Sequence, residues 1–394
     1  MKILFINSLY TPHILGGAER SVQFMAEGLK ELGHDTAVIT TGPEDKREEI
    51  NGVVVHYLKT PNLYWIYNAK TQLQYKKPLW HLLDARNIFF DKKLAEVIEA
   101  EKPDLVHSNN LAGLSVQVWK TSKRFGLPVV HTTRDYYLLC PKSGMYKNGR
   151  NCPKQCLPCR FYSLPKKKMS QLVDAVVGVS RFTLEKHLKF GYFQRARVKT
   201  FIYNPVGKVK ESPDSRRDHM PVVFGFIGAI SPDKGTAYLL DKFSRMKLDH
   251  ARLKIFGRGV TPEYENALKE KYAADNIEFM GFQNPDEIYA QIDVSIISSL
   301  WHEPFPRILL ESYGRGIPVI ATRRGGTSEM IKENETGFTF DPDRDGELEE
   351  KIGYFADHPE SIDRFSDKCR AITAEFATGK ILERYLDVYK AILE

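Results

Sequence analysis

Residues 303 to 311 read Glu303-Pro304-Phe305-Pro306-Arg307-Ile308-Leu309-Leu310-Glu311, two glutamates eight apart, followed by Gly314, Gly316 and the apolar run Ile317 to Ala321. Prolines at 304 and 306 stop any helix upstream, and Pro306 suits a first helical turn, where its missing N–H has no partner to lose. The pattern predicts Glu303 on a loop and Glu311 about two turns inside a helix. A helical separation of that length is roughly 12 Å. The paired carboxylates of glycoside hydrolases lie only roughly 5 to 9.5 Å apart, so these two suit the ends of one elongated ligand instead. The helix start between them, with free backbone N–H groups and Arg307, favours an anion. Hydroxyls at both ends and a phosphate in the middle describe a nucleotide sugar. A solvated helix with two surface glutamates is the plain alternative.

Working outward, short apolar runs alternate with longer amphipathic segments. Strands are expected at 2–6, 36–40, 53–58, 104–108, 128–133, 174–179 and 198–202, then in a second series at 222–228, 251–256, 276–280, 293–297, 317–321 and 337–340. Helices are expected between them at 17–32, 88–100, 235–246, 305–314 and 345–356. Such alternation predicts an α/β fold with parallel sheets. A chain of 394 residues exceeds one ordinary core, so the two series are read as two doubly wound, Rossmann-like domains. The break falls between Asn204-Pro205 and Pro221, where Gly207, Pro213 and the charges from Asp214 to Asp218 interrupt the pattern. Ligands of such sheets bind at the carboxyl ends of the strands. The last segment is apolar at Ile381, Leu382, Tyr385, Leu386, Tyr389 and Ile392, one face of a helix.

Apolar residues make up 42% and charged residues 27% of the chain, the balance of a soluble globular protein. No apolar run approaches the ~20 residues of a membrane helix. The opening Met1 to Ile6 is cut short by Asn7 and Ser8, so it reads as a buried strand rather than a signal peptide. A cytoplasmic protein is therefore expected. Net charge is divided unevenly: residues 1–200 carry 31 Lys+Arg against 17 Asp+Glu, and the remainder 26 against 33. The basic half could meet nucleic acid or the anionic inner face of a membrane. Lys166-Lys167-Lys168, with Phe161-Tyr162, Met169, Leu172 and Val173 around them, is the local candidate for surface docking, against a solvated basic helix start.

The ordered set Glu303, Glu311, Gly316-Ile317-Pro318-Val319, Gly325-Gly326-Thr327-Ser328-Glu329 and Thr336-Gly337-Phe338 resembles the donor domain of the retaining glycosyltransferases of family 4, enzymes of the GT-B fold. Upstream, Gly228-Ala229-Ile230-Ser231-Pro232-Asp233-Lys234-Gly235 and Phe256-Gly257-Arg258-Gly259 extend the resemblance, and Gly16-Gly17-Ala18-Glu19-Arg20 looks like that family's first loop. Nearly the whole chain is covered. The resemblance implies two domains facing a central cleft: an acceptor-side domain of residues 1–205 plus 375–394, the last helix crossing back onto it, and a nucleotide-sugar donor domain of residues 206–374.

It also implies site residues. Glu311 holds the donor ribose, Glu303 the transferred sugar, and Lys234 the phosphate. Cations do much of the work when a diphosphate leaves. The family's usual arginine after the glycine is here Ala229, so Arg307, Arg258 and Arg324 are candidate replacements, Arg307 first. The expected catalytic set is Glu303, Lys234 and Arg307. The donor-binding set is Gly16, Gly17, Gly228, Lys234, Arg258, Phe282, Phe305, Pro306, Arg307 and Glu311, with Gly281-Phe282 presented to the base. On the acceptor side, Arg134-Asp135 stands where many relatives have His-Asp. Arginine cannot act as a base at neutral pH, so Arg134 is assigned to an acidic acceptor or the diphosphate. His131 is read as a core or wall residue.

No catalytic metal is expected, since Asp341-Pro342-Asp343 follows a strand as an ordinary loop. Cys140, Cys152, Cys156 and Cys159 are weighed as a structural, tetrahedral zinc site against reduced, unligated thiols. The reading that follows is a retaining hexosyltransferase using a UDP- or GDP-sugar, acting on a hydroxyl of a glycan or lipid-linked acceptor in surface polysaccharide biosynthesis, at times peripheral at the inner membrane face and without a nucleic-acid partner. Two rivals stand beside it: a nucleotide-sugar epimerase of the same fold, and a zinc-containing nucleic-acid-binding protein built on the cysteines and the basic half.

Overall fold

A computed structural model describes residues 1–207 and 219–394. Of the expected break, Pro213 and Asp214 to Asp218 lie outside the described residues. The chain divides into two compact units. The first comprises Met1–Met145, Cys152–Pro205 and Thr378–Glu394; the second comprises Tyr146–Asn151 and Val206–Ala377.

The first unit is built on an eight-stranded sheet in the order Val198–Phe201, Ala175–Gly178, Val129–Thr133, Leu105–Ser108, Lys2–Ile6, Asp35–Gly42, Val53–Lys59, Lys46–Ile50. Every neighbouring pair is parallel except the last, where Lys46–Ile50 runs antiparallel to Val53–Lys59. Ile3, Leu4, Phe5 and Ile6 are all fully buried. Strands covered on both faces need such unbroken apolar runs. The closing helix Thr378–Leu393 buries Ile381, Leu382, Tyr385, Val388, Tyr389 and Ile392. Its Tyr389 hydroxyl lies 2.6 Å from His107 Nδ1. Close approach is possible because helix Gly17–Glu31 presents Gly28, where a Cβ would sit 2.6 Å from Leu382 Cδ1.

The second unit holds a six-stranded, all-parallel sheet in the order Ile277–Gly281, Ala251–Phe256, Val222–Ile227, Val294–Ile297, Val319–Thr322, Gly337–Phe340. Phe224, Phe226, Leu253, Ile255, Val294, Ile296, Ile320, Phe338 and Phe340 form its core together with the flanking helices. The strand order reverses between Val222–Ile227 and Val294–Ile297. In doubly wound sheets the crevice beyond the carboxyl ends at such a reversal is where ligands sit. Gly228 follows the first of these strands and Ser298 to Glu303 follow the second. The segment quoted at the outset therefore emerges at the sheet's topological switch point.

Three local expectations change. The helix after Pro306 spans only Arg307–Tyr313, with Pro306 as its N-cap; Glu311 is one turn inside it, so the helical part contributes roughly 6 Å rather than 12 Å to the separation of the glutamates. Lys166-Lys167-Lys168 occupy the last turn of helix Leu157–Met169, not its start. Lys166 is buried, with Nζ 3.0 Å from the Tyr137 carbonyl and 3.3 Å from the centre of its ring.

Candidate active site

Glu303 is buried at the end of the loop that leaves strand Val294–Ile297. Its Oε1 accepts hydrogen bonds from Lys234 Nζ at 2.5 Å and from the Ser299 hydroxyl. The backbone on its other side is held by the glycine pair: the Gly326 N–H donates to the Glu303 carbonyl at 2.8 Å, and Gly325 bridges to Glu303. Gly325 has φ +67°, and a Cβ there would sit 2.2 Å from the Glu303 oxygen. Only glycine fits, which gives the Gly325-Gly326 pair its physical meaning.

Lys234 is brought to Glu303 by the loop after Gly228. The Ser298 hydroxyl donates to the Lys234 carbonyl at 3.0 Å, and the Leu300 N–H to the Asp233 carbonyl at 2.8 Å. Gly228, at φ +142°, would place a Cβ 3.9 Å from Ile308 Cδ1, so this loop lies against the start of helix Arg307–Tyr313. At the other end of the segment Arg307 Nη2 pairs with Glu311 Oε1 at 3.3 Å, and the Tyr289 hydroxyl donates to Glu311 Oε2 at 3.3 Å. Each of the two glutamates thus carries its own cation. Arg258 is exposed, its guanidinium 5.9 Å from the exposed ring of Phe282. Phe305 and Pro306 are buried. Arg324 pairs with Asp341 at 3.4 Å and Asp343 at 2.6 Å, which ties all three side chains together.

A contribution from far upstream escaped the sequence reading. Asn151, in the hairpin Tyr146–Lys147 and Arg150–Asn151, donates from Nδ2 to the Leu300 carbonyl at 2.8 Å and accepts the His302 N–H at 2.7 Å. It fastens the loop that carries Glu303. A single asparagine among turn residues carries no signal that would have found it.

In the first unit, Gly16 is exposed and Gly17 half-buried at the start of helix Gly17–Glu31, and the Gly16 N–H donates to Glu19 Oε2 at 3.0 Å. Arg134 is buried: Nε donates to Asn109 Oδ1 at 2.8 Å and Nη1 to Asn204 Oδ1 at 2.7 Å. His131 is a core residue, 3.0 Å from the Ser108 hydroxyl and stacked on Phe193. Asp135 is half-buried, and burial pushes its carboxyl up to about 6. Near it lies a buried group that was not anticipated. Asp84 accepts the Tyr137 hydroxyl at 2.6 Å and the Gly113 N–H at 2.8 Å, and burial raises it to about 6. Burial lowers Lys166, whose charge both aspartates favour, to about 8.

The zinc reading finds no support. Among the described residues no three His, Cys, Asp or Glu side chains come together in an arrangement that could hold a metal ion. Cys140 is buried and hydrogen-bonded to Cys159, Cys152 is half-buried, and Cys156 is exposed.

Residues 15–207 match the family described as Glycosyltransferase Family 4, and residues 208–371 the one described as Glycosyl transferases group 1. The chain is 34% identical over 339 residues to an uncharacterized 42.6 kDa protein in the cps region of Klebsiella pneumoniae, covering 84% of this chain and 88% of that one. Among solved structures, sucrose-phosphate synthase from Thermosynechococcus elongatus matches with a TM-score of 0.77 at 18% identity, covering 99% of this chain and 98% of that one. HepE from Anabaena, in complex with UDP-glucose, matches with a TM-score of 0.71 at 17% identity, covering 99% and 100%.

Proposed function

We propose that this chain, which belongs to glycosyltransferase family 4 and has the GT-B fold, moves a hexose-type sugar from a UDP- or GDP-sugar to a hydroxyl of a glycan or lipid-linked acceptor, with retention of configuration. The observation that carries the proposal is the pair of cation–carboxylate contacts, Lys234 with Glu303 and Arg307 with Glu311, at the switch point of the second unit's sheet. In this reading the second unit takes the donor and the first the acceptor. Glu303 orients the transferred sugar and Glu311 the ribose, since a carboxylate accepting two hydroxyls fixes the orientation of its ligand. Lys234, Arg307 and the exposed Arg258 supply positive charge as the diphosphate leaves. Phe282 offers a face to the base, and Gly228, Gly16 and Gly17 let backbone approach the phosphates.

No side-chain base is invoked. The departing phosphate oxygen takes the acceptor's proton on the face from which it leaves, and the acceptor oxygen bonds to the anomeric carbon as the sugar–phosphate bond breaks. The neutralising charge is assigned to the cationic side chains rather than to a divalent ion. The complex of HepE with UDP-glucose supports the donor class, and the cps region in which the Klebsiella relative lies supports a role in surface polysaccharide. Among the described residues no helix is long and apolar enough to cross a membrane; cytoplasmic placement at an anionic membrane face completes the proposal.

The test is turnover. A panel of UDP- and GDP-sugars with glycan and polyprenyl-phosphate-linked acceptors should show consumption of one donor class only when acceptor is present. Consumption of none would overturn the reading, and release of an epimer without acceptor would replace it with the epimerase.

A further inference from the structure

Two helices of the first unit, Lys76–Ala85 and Leu157–Met169, pack against each other, with the rings of His81 and Tyr162 6.0 Å apart. Their inner sides are conventional: Trp80, Asp84 and Ala85 on one and Ser163, Lys166 and Met169 on the other are buried. Their outer sides are not. Leu157, Phe161 and Leu164 recur at the spacing of one helical face and are 79%, 64% and 68% exposed. Tyr75, Leu79 and Leu82 repeat the spacing around the other helix, and Leu73, Ile88 and Phe89 are exposed beside it in sequence. Bulky apolar side chains lined up along the exposed sides of two packed helices mark an interaction surface rather than ordinary scatter.

The exposed charges on the two helices have one sign. Arg160, Lys167 and Lys168 are exposed on the second helix and Arg86 just beyond the first. Residues 136–173 contain no aspartate or glutamate, and in residues 50–85 the one acidic side chain is the buried Asp84. A nucleic acid would satisfy the cations and leave the leucines wet. A second copy docked face to face would oppose like charges across the apolar ridges. A bilayer with anionic headgroups meets both requirements, because an apolar ridge sinks to the acyl boundary while flanking Lys and Arg reach the phosphates.

We propose that the outer face of these two helices is a docking surface for an anionic bilayer. Leu157, Phe161, Leu164, Leu79 and Leu82 enter the acyl boundary, and Arg160, Lys167 and Lys168 lie at the headgroups. The surface deepens the reading of a membrane-linked acceptor and takes its biological purpose from it, but its geometry does not depend on that reading.

The full chain should co-sediment with vesicles containing phosphatidylglycerol and not with pure phosphatidylcholine, and added salt should weaken the association. The triple variant Leu157→Ser/Phe161→Ser/Leu164→Ser and the double variant Lys167→Gln/Lys168→Gln should each bind roughly tenfold or more weakly, with turnover of a water-soluble acceptor unchanged. Tryptophan emission of Phe161→Trp should shift to the blue on phosphatidylglycerol vesicles. Undiminished binding by the triple variant, no binding by the parent, or an unshifted Phe161→Trp emission would each overturn the proposal. A lipid-independent dimer abolished by the triple variant would give the face to a second copy instead. Since vesicle binding is read without donor or acceptor, failure of glycosyl transfer leaves its result standing, and the reverse holds too.

Discussion

Lys234 and Glu303 share a 2.5 Å contact in which the glutamate side chain is 5% exposed, so removing either leaves a charge without its counterion. Breaking a buried pair from one side is costly, whereas removing both partners is far less so. Lys234→Met and Glu303→Gln should therefore each lower thermal stability, and the double variant should recover part of the loss. A coupling energy of roughly 1–3 kcal/mol is expected from the double-mutant cycle, and additive effects would show that the pair is incidental. Function separates the two glutamates differently. Glu311→Ala should weaken nucleotide binding by calorimetry, whereas Glu303→Ala should lower turnover more than nucleotide affinity; the opposite pattern would exchange their roles. Lys234 also shows where residue-level reading ran out. The motif marked it for phosphate, but its contact with Glu303 depends on two loops from different parts of the sheet, a relation no spacing encodes.

At the scale of elements, the hairpin around Asn151 makes the clearest prediction. Asn151→Ala removes two hydrogen bonds from the loop at Leu300 and His302, each worth about 0.5–1.5 kcal/mol. Turnover should fall with nucleotide affinity nearly unchanged; an unaltered kcat would show that the loop holds its shape without the hairpin. The strands of both sheets were legible because parallel strands buried on two faces must be unbroken apolar runs, as Ile3 to Ile6 and Val319 to Ala321 are. Lys46–Ile50 was not, since this edge strand is charged and largely exposed. The helices Lys76–Ala85 and Leu157–Met169 also escaped. Pro78, Pro158 and Pro165 are residues that disfavour a helix interior, and apolar residues on the outer as well as the inner face erase the one-sided periodicity that betrays a surface helix.

For the whole molecule, the buried group around Asp84 sets a pH dependence of folding. Its carboxyl rises from an ordinary 3.8 to about 6 on burial, so the folded chain holds a proton that the unfolded chain releases earlier. The contribution is fully present below pH ~4 and is lost as pH rises through about 6, at most roughly 3 kcal/mol. Asp135 acts in the same direction. Thermal unfolding followed between pH 4 and 6 should show a flatter dependence in Asp84→Asn than in the parent. Equal slopes would place the titration elsewhere.

The division of the chain has a temporal side. Residues 1–205 are made first, yet the first unit is completed by Thr378–Glu394. At ~5–20 residues per second, roughly 10–30 seconds of synthesis separate the two. Throughout that interval the surface awaiting Ile381, Leu382, Tyr385 and Tyr389 stays uncovered, and the second unit can reach its own core before the first is closed. A nascent chain arrested shortly before Thr378 should therefore expose an apolar face that chaperones bind, and a segment translated after the second unit is what seals the unit begun before it.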